Sequence, residues 1–379
     1  MPKKTVLIGA LCAAAFTSAG FAQSAAPASP CGGKAGLPSW FAAGVYQGTL
    51  GGQPITLQLK RPAENNDEVG AYFYQSRQID LTLHGSRRGK ALILAEEVWS
   101  GPEKGLQTSG CLALTRVSDS LTGTWKSPAG KRLAVSLKPL KMAAVPLKLL
   151  DTAQVRKLRA EQPLDFLKLN TAWPRRADSE GNVEEPLTGI VYPRVAGASA
   201  ALAGTLQDRQ LAAAQSALEC QAQLGDSAGK GDGFTLEAQV TRLTPKLVSL
   251  HESAAYYCGG AHPDNFDEGV ILSRVSGQSV KVTALWPGLS GAKQLALYLA
   301  AYPSDGGDPE CSSLIQSSAE PSSSDPQFAA WLTPKGLSVV PTFLPHVAAT
   351  CAETVTLGYG QLRPLADAKG RYFNDLYPR

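Results

Sequence analysis

The sequence predicts two domains: an N-terminal all-β antiparallel meander or barrel, and a C-terminal α+β domain with a mostly antiparallel sheet. Three observations predict this. Residues 44–139 alternate apolar and polar with period two and break repeatedly at turn residues, which fits a small antiparallel barrel. Ala198 to Gln223 is rich in Ala and Leu, with apolar residues at helical spacing. Beyond it, alternating runs return beside further helical segments, so helices lie beside an antiparallel sheet.

The expected strands of the first domain are Gly44–Leu50, Gln53–Lys60, Glu68–Tyr74, Gln78–His84, Lys90–Glu97, Gln107–Thr115, Ser120–Lys126 and Arg132–Lys138. Ile55, Leu57 and Leu59 face one way while Thr56, Gln58 and Lys60 face the other; Leu133, Val135 and Leu137 repeat the pattern. Gly51-Gly52, Gly85, Gly101-Pro102 and Pro128-Ala129-Gly130 supply the turns. Glycines alternating with aromatics (Gly44, Tyr46, Gly48; Gly70, Tyr72, Tyr74) suit a tightly curved sheet, and the barrel is expected to serve as a scaffold or a small-ligand holder.

Pro139 to Pro146 reads as a linker and 147–162 as a helix, followed by a charged loop from Trp173 to Pro186. Gly189–Pro193 opens the second sheet. Phe234–Leu243 and Lys246–Cys258 form a hairpin across Thr244-Pro245, and Gly269–Val275 with Gln278–Val282 forms another. Leu295–Ala301 is a short helix and Asp305 to Gln327 a loop. Phe328–Leu332, Leu337–Val340 and Val355–Tyr359 close the sheet. The resulting organisation is a signal peptide at 1–22, a flexible leader at 23–38, a barrel-like domain at 39–139, a linker and helix at 140–184, and an α+β domain at 185–379.

The N-terminus points to export. Lys3 and Lys4 precede an apolar run from Val6 to Phe16, and Gly20-Phe21-Ala22 places small residues where signal peptidase cuts, near Ala22. The run is shorter than the roughly 20 apolar residues a membrane span needs. Leu11 stands before Cys12 where a lipoprotein peptidase requires a small residue, which favours simple export over lipidation. Loss of Lys3 and Lys4 takes the net charge from +4 to +2. So small a charge implies neither nucleic-acid binding nor membrane steering, and no later stretch is long and apolar enough to span a membrane. The expected location is periplasmic or secreted. Cys31, Cys111, Cys220, Cys258, Cys311 and Cys351 then remain, an even number that favours disulfides. Pairing of sequence neighbours is expected: Cys31 with Cys111, Cys220 with Cys258, and Cys311 with Cys351.

The most distinctive segment is Tyr256-Tyr257-Cys258-Gly259-Gly260-Ala261-His262-Pro263-Asp264. An aromatic strand end runs into a double glycine, where the backbone needs positive φ or close approach. His262 and Asp264 on the turn beyond are either ligand contacts or, for His262, a support for the turn through its own backbone. Tyr256, Tyr257 and Trp286 are the candidate aromatic anchors.

Tyr257 to Pro263, then Val280-Lys281-Val282 with Leu285-Trp286, resembles the extracellular domain of the RsiV-type family. That family is named for a bacterial anti-sigma factor that senses lysozyme, and its domain also ends some peptidoglycan deacetylases. Phe328 to Leu337, with its Pro334-Lys335-Gly336 between strands, and Val355–Tyr359 with Leu362 extend the resemblance over about 185–367. The resemblance implies an α+β extracytoplasmic module for protein recognition, lysozyme included. An anti-sigma segment, a membrane helix and a deacetylase domain are all missing from the pattern, and no binding residue is carried over individually.

Enzyme signatures fare poorly. Gly225-Asp226-Ser227-Ala228-Gly229 fits the serine-hydrolase elbow, but a helix precedes it where the elbow needs a strand, and Gly225 reads as a helix cap. His251, Cys258 and His262 with Cys220 could be assembled into a metal site, yet 251 and 258 have opposite parity on one strand. Phosphate-cradling loops, CxxC pairs and HExxH are absent from the sequence, so neither a metal nor a cofactor is expected. The leading expectation is a non-enzymatic binding protein for an envelope or host partner such as lysozyme, or a peptidoglycan-associated ligand, contacted through loops 259–268 and 303–327. The rivals are a cell-envelope glycan hydrolase using Asp264, Asp267 and Glu268 as acid and base, and a structural accessory protein.

Overall fold

A computed structural model describes residues 30–378 except 65, 101–104, 178–180, 225–231, 261, 304–308 and 321–326. The signal segment, Cys12 and the Ser227 elbow therefore lie outside the described residues. The first domain is a closed antiparallel barrel of β1 Gly44–Leu50, β2 Gln53–Leu59, β3 Glu68–Tyr74, β4 Leu81–Arg88, β5 Ala91–Trp99, β6 Leu106–Val117, β7 Ser120–Lys126 and β8 Arg132–Pro139. Each strand pairs with the next, and β1 closes on β8 from Tyr46↔Pro139 to Leu50↔Val135. The inward positions are buried Leu57, Leu59, Leu83, Leu92, Leu94, Leu112, Leu114 and Leu137. The interior is thus a packed core, as an eight-stranded barrel allows, and not the small-ligand chamber that the sequence left open.

Glycine makes the curl possible. A Cβ on Gly48 would sit 1.9 Å from the Ser136 carbonyl oxygen, so the β1 backbone lies against β8 with no room for a side chain. One inward position departs from the apolar rule. Glu96 is 4 % exposed, but its carboxylate accepts from the Tyr72 hydroxyl, from Trp125 Nε1 at 2.9 Å and from Ser109 Oγ at 2.6 Å. The donors come from β3, β7 and β6 and converge on the carboxylate, which offsets the burial of the charge. Burial and then the Glu96 charge push the Tyr72 phenol far above its ordinary pKa, keeping it a donor.

The β4 strand starts at Leu81, three residues later than expected. Gln78 has φ 58°, a left-handed conformation that turns the chain, and its amide donates to Tyr74 O at 2.8 Å. The expected leader is also tied down from Pro30 onward. Cys31 is bonded to Cys111, Lys34 bridges to Arg87, and Leu37, Trp40 and Phe41 pack against the barrel core.

The helix expected over 147–162 forms as two, α1 Ala153–Glu161 and α2 Pro163–Leu169. Thr152 is the reason for the late start: its Oγ1 accepts from Val155 N at 3.1 Å as an N-cap. Pro163 lacks the N–H to continue α1 and instead begins α2. A two-stranded sheet of β9 Val183–Glu184 and β10 Val191–Tyr192 follows, so Glu184 lies in a strand and not in the charged loop.

Helix α3, Ala200–Leu224, buries Leu202, Leu206, Leu211, Ala214 and Leu218 and lies beside a sheet of β11 Phe234–Leu243, β12 Leu247–Tyr256 and β13 Asp264–Ser273. Helices α4 Val282–Leu285, α5 Gly291–Ala301 and α6 Pro309–Ser318 precede a second sheet of β14 Phe328–Leu332, β15 Gly336–Pro341 and β16 Val355–Gly358. Three expectations are corrected here. The partner strand expected at 278–282 makes only the bridge Leu272↔Ser279 before α4 begins. The loop expected at 305–327 contains α6, whose Ile315 is fully buried. The last three strands form their own sheet and do not complete the first.

The two sheets meet at a glycine. A Cβ on Gly269 of β13 would lie 1.9 Å from Ala330 O on β14, and nearby Leu332 N donates to Ser249 Oγ at 2.8 Å. Gly269→Ala is expected to destabilise by about 2 kcal/mol through overpacking, measurable by urea unfolding of the oxidised protein. A loss within error of zero would mean that the sheets part freely.

All three expected disulfides form, with Cα–Cα separations of 5.7, 4.6 and 5.3 Å. They fit an extracytoplasmic protein. Among the described residues no helix is long and apolar enough to cross a membrane.

Candidate functional site

The distinctive segment is placed at the end of β12, where it turns towards β13. Tyr256 stacks on Phe234 with ring centroids 6.3 Å apart, and its hydroxyl donates to Asp264 Oδ2 at 3.1 Å. That hydrogen bond holds the Tyr256 phenol above its ordinary pKa. Tyr257 is 44 % exposed, and its backbone amide donates to Gly233 O at 2.6 Å. His262 Nδ1 lies 2.9 Å from Pro263 O, the turn-holding contact weighed from the sequence. Gly259 and Gly260 have φ of 90° and 113°, the positive values that the double glycine implied.

Trp286 does not belong to this group. It is fully buried, donates from Nε1 to the Tyr377 hydroxyl at 2.9 Å, and packs near Tyr359. Its indole anchors the core of the second domain, so it is no surface anchor. The acids are also moved: Asp264, Asp267 and Glu268 stand on β13, because the whole of 264–273 pairs with β12 from Tyr256↔Asp264 onward. Loop 259–268 is correspondingly shortened. Asp267 points to the face opposite Asp264 and Glu268. It lies 2.7 Å from His251 Nε2, while Glu268 pairs with Arg209 at 2.8 Å. The acid–base constellation expected of a glycan hydrolase is not assembled by these three residues. His251 stacks on Trp331 at 3.9 Å, and Cys220 and Cys258 are joined to each other. Among the described residues no cluster of His, Cys, Asp and Glu is placed to hold a metal ion.

The double glycine instead forms one wall of a cleft between the domains, about 630 Å³ in volume. The barrel supplies Ile79, Asp80, Leu81 and Thr82 ahead of and into β4, with Glu97, Val98, Trp99 and Leu106 from the β5–β6 hairpin. The α+β domain supplies the end of α3 and Cys258-Gly259-Gly260. Trp99 and Leu106 are cross-strand partners at the end of their hairpin, 44 % and 59 % exposed. Such concave, mostly apolar sites at domain junctions are where ligands usually bind.

The polar side of the cleft is acidic. Asp80 Oδ2 lies 2.7 Å from Lys168 Nζ, which also approaches Asp165 at 3.5 Å and stands over the Phe73 ring. Burial raises the Asp80 pKa, the Lys168 ammonium opposes that, and Asp165 adds to it. Glu97 Oε2 is 3.3 Å from His84 Nε2, whose other ring nitrogen faces Asp67 at 2.8 Å. Sequence reasoning missed this group. Trp99, a bulky aromatic two residues past the expected strand end at Glu97, is the signal that could have pointed to it.

Two solved structures are similar in part. A DUF3298 family protein from Pseudomonas aeruginosa PAO1 is 18% identical with a TM-score of 0.28, covering 41% of this chain and 68% of that one. A DUF3298 family member from Bacteroides fragilis is 12% identical with a TM-score of 0.32, covering 72% of this chain and 99% of that one. Likenesses this distant carry no argument about this chain. No protein-family model matches it, and no curated protein matches it. The RsiV-type resemblance rests on the quoted residues alone.

Proposed function

We propose that this chain is an exported, non-enzymatic binding protein that is cleaved near Ala22, works in the periplasm or outside the cell, and recognises an envelope or host protein such as lysozyme. The observation that carries the reading is the cleft at the domain junction. Its exposed Trp99 and Leu106 offer the aromatic and aliphatic contact area on which recognition energy concentrates. The RsiV-like segment of the second domain contributes the opposite wall through Cys258, Gly259 and Gly260. A small, disulfide-tied wall facing a barrel-borne hairpin is suited to closing on a partner's surface with little backbone ordering, which favours affinity.

Calorimetric titration of the oxidised mature protein with lysozyme tests this. Saturable binding without substrate turnover is expected, weakened about tenfold or more in Trp99→Ala, as for an interface hot spot. Absence of binding, or binding indifferent to Trp99, would remove the reading.

A further inference from the structure

We propose that the cleft receives a cationic side chain, a lysine or arginine presented by the protein partner. The inference deepens the recognition reading and rests on it. Among the described lining residues there are two carboxylates, Asp80 and Glu97, and no lysine or arginine. Lys168 does not reverse that balance. It is only 3 % exposed, outside the lining, and shared between Asp80 and Asp165.

The second observation is that the protein itself leaves the Asp80 carboxylate only partly satisfied. Asp80 Oδ1 is buried and has no hydrogen-bond partner in the protein, although Oδ2 of the same carboxylate is bound by Lys168. A buried acceptor of this kind is normally satisfied. An ammonium or guanidinium brings several donors and the complementary charge. An anionic ligand would meet repulsion from the Asp80 and Glu97 carboxylates.

Third, the wall beside the acids fits the rest of such a side chain. The methylene stem of a lysine or arginine can lie on Leu81, Val98 and Leu106, with the exposed Trp99 indole as the aromatic neighbour of the charge. The attraction is local, since the mature chain as a whole carries a net charge of +2 after loss of Lys3 and Lys4 from the +4 total. A cation gains nothing from the protein's overall field and is drawn only by this face.

The test uses the oxidised mature protein and three probes: an N- and C-blocked arginine-containing peptide, the same peptide with neutral citrulline, and peptidoglycan fragments. The arginine peptide should bind saturably, about tenfold tighter than its citrulline counterpart, and weaken as salt rises. Glu97→Gln and Trp99→Leu should each cost about fivefold in affinity. Glu97→Asp should retain most of it, and Glu237→Gln on the exposed strand β11 should change nothing. Unfolding curves for each variant separate lost binding from lost folding. Equal binding of the citrulline peptide, insensitivity to Glu97→Gln, or binding of peptidoglycan fragments alone overturns the assignment. If lysozyme binds and Trp99→Ala abolishes it while the arginine peptide neither binds nor competes, the cation assignment falls and the recognition reading stands. If the arginine peptide binds through Glu97 and lysozyme does not bind, the cation assignment stands and the lysozyme reading falls.

Discussion

Replacing Arg209 with Met is expected to destabilise the protein by about 4 kcal/mol, the scale of removing one partner from a buried ion pair. Glu252 on β12 is 5 % exposed and accepts from Arg209 Nε at 2.5 Å and Nη2 at 2.8 Å. The Tyr192 hydroxyl also donates to it. Burial, reinforced by the Glu252 charge, holds the Tyr192 phenol well above its ordinary pKa. The phenol therefore remains a donor and cannot replace the lost positive charge. For Arg209, burial pulls the pKa down, but the hydrogen bond and charge of Glu252 outweigh it and hold the guanidinium charged. Without it, α3 loses its fork onto the sheet and a buried carboxylate keeps one neutral donor. Urea unfolding at neutral pH checks the value. Adding Glu252→Leu to Arg209→Met should restore much of the loss, because an apolar replacement of both partners leaves no orphan charge. A single-variant loss below about 1 kcal/mol would place the pair among surface ion pairs of little worth.

Lys168→Met is expected to destabilise by about 3 kcal/mol at neutral pH, and the loss should shrink in acid. The ammonium sits between Asp80 and Asp165, so its removal leaves two carboxylates facing each other where α2 meets the barrel. Burial already raises the Asp80 pKa and Lys168 holds it down; the variant frees it to rise further. A folded-state pKa raised above the unfolded value means that the folded chain binds the proton more tightly. The stability that this contributes is fully present below the unfolded pKa and is lost as pH rises through the folded one. The variant should therefore approach the parent protein in stability as pH falls from neutral towards the ordinary carboxylate range, about pH 4. A loss independent of pH would show that Lys168 acts through packing over Phe73 and not through charge.

Much of the barrel was legible because its signals are local. The strands β1, β3 and β7 have the bounds expected from alternation and turn residues, since side-chain period and Gly-rich turns act over a few residues. Where local signals compete, reading fails. Ile79, Leu81 and Leu83 alternate correctly, but the turn at Gln78 keeps the first of them out of the strand. The start of β13 has no apolar alternation to announce it, being Asp-Asn-Phe-Asp-Glu, and is held by pairing to β12. Within α6, Ile315 is buried in a segment whose Ser and Pro content reads as loop. Trp286 shows the same limit for a single side chain: nothing adjacent to it in sequence says that its indole meets Tyr377, which lies near the far end of the chain.

The cleft was partly legible at most, through Gly259 and Gly260. Its other wall comes from segments near residues 80, 98 and 106, more than a hundred positions away. The sequence by itself determined the strand set of the barrel, the long helix α3 and the hairpin of β11 and β12, because turn chemistry and side-chain period are local properties of the chain. Only the tertiary structure decided that β1 closes on β8, that Trp286 is core, and that Asp80, Glu97 and Trp99 face the double glycine. Those outcomes depend on which surfaces pack together, and packing is a property of side chains distant in sequence that no local pattern encodes.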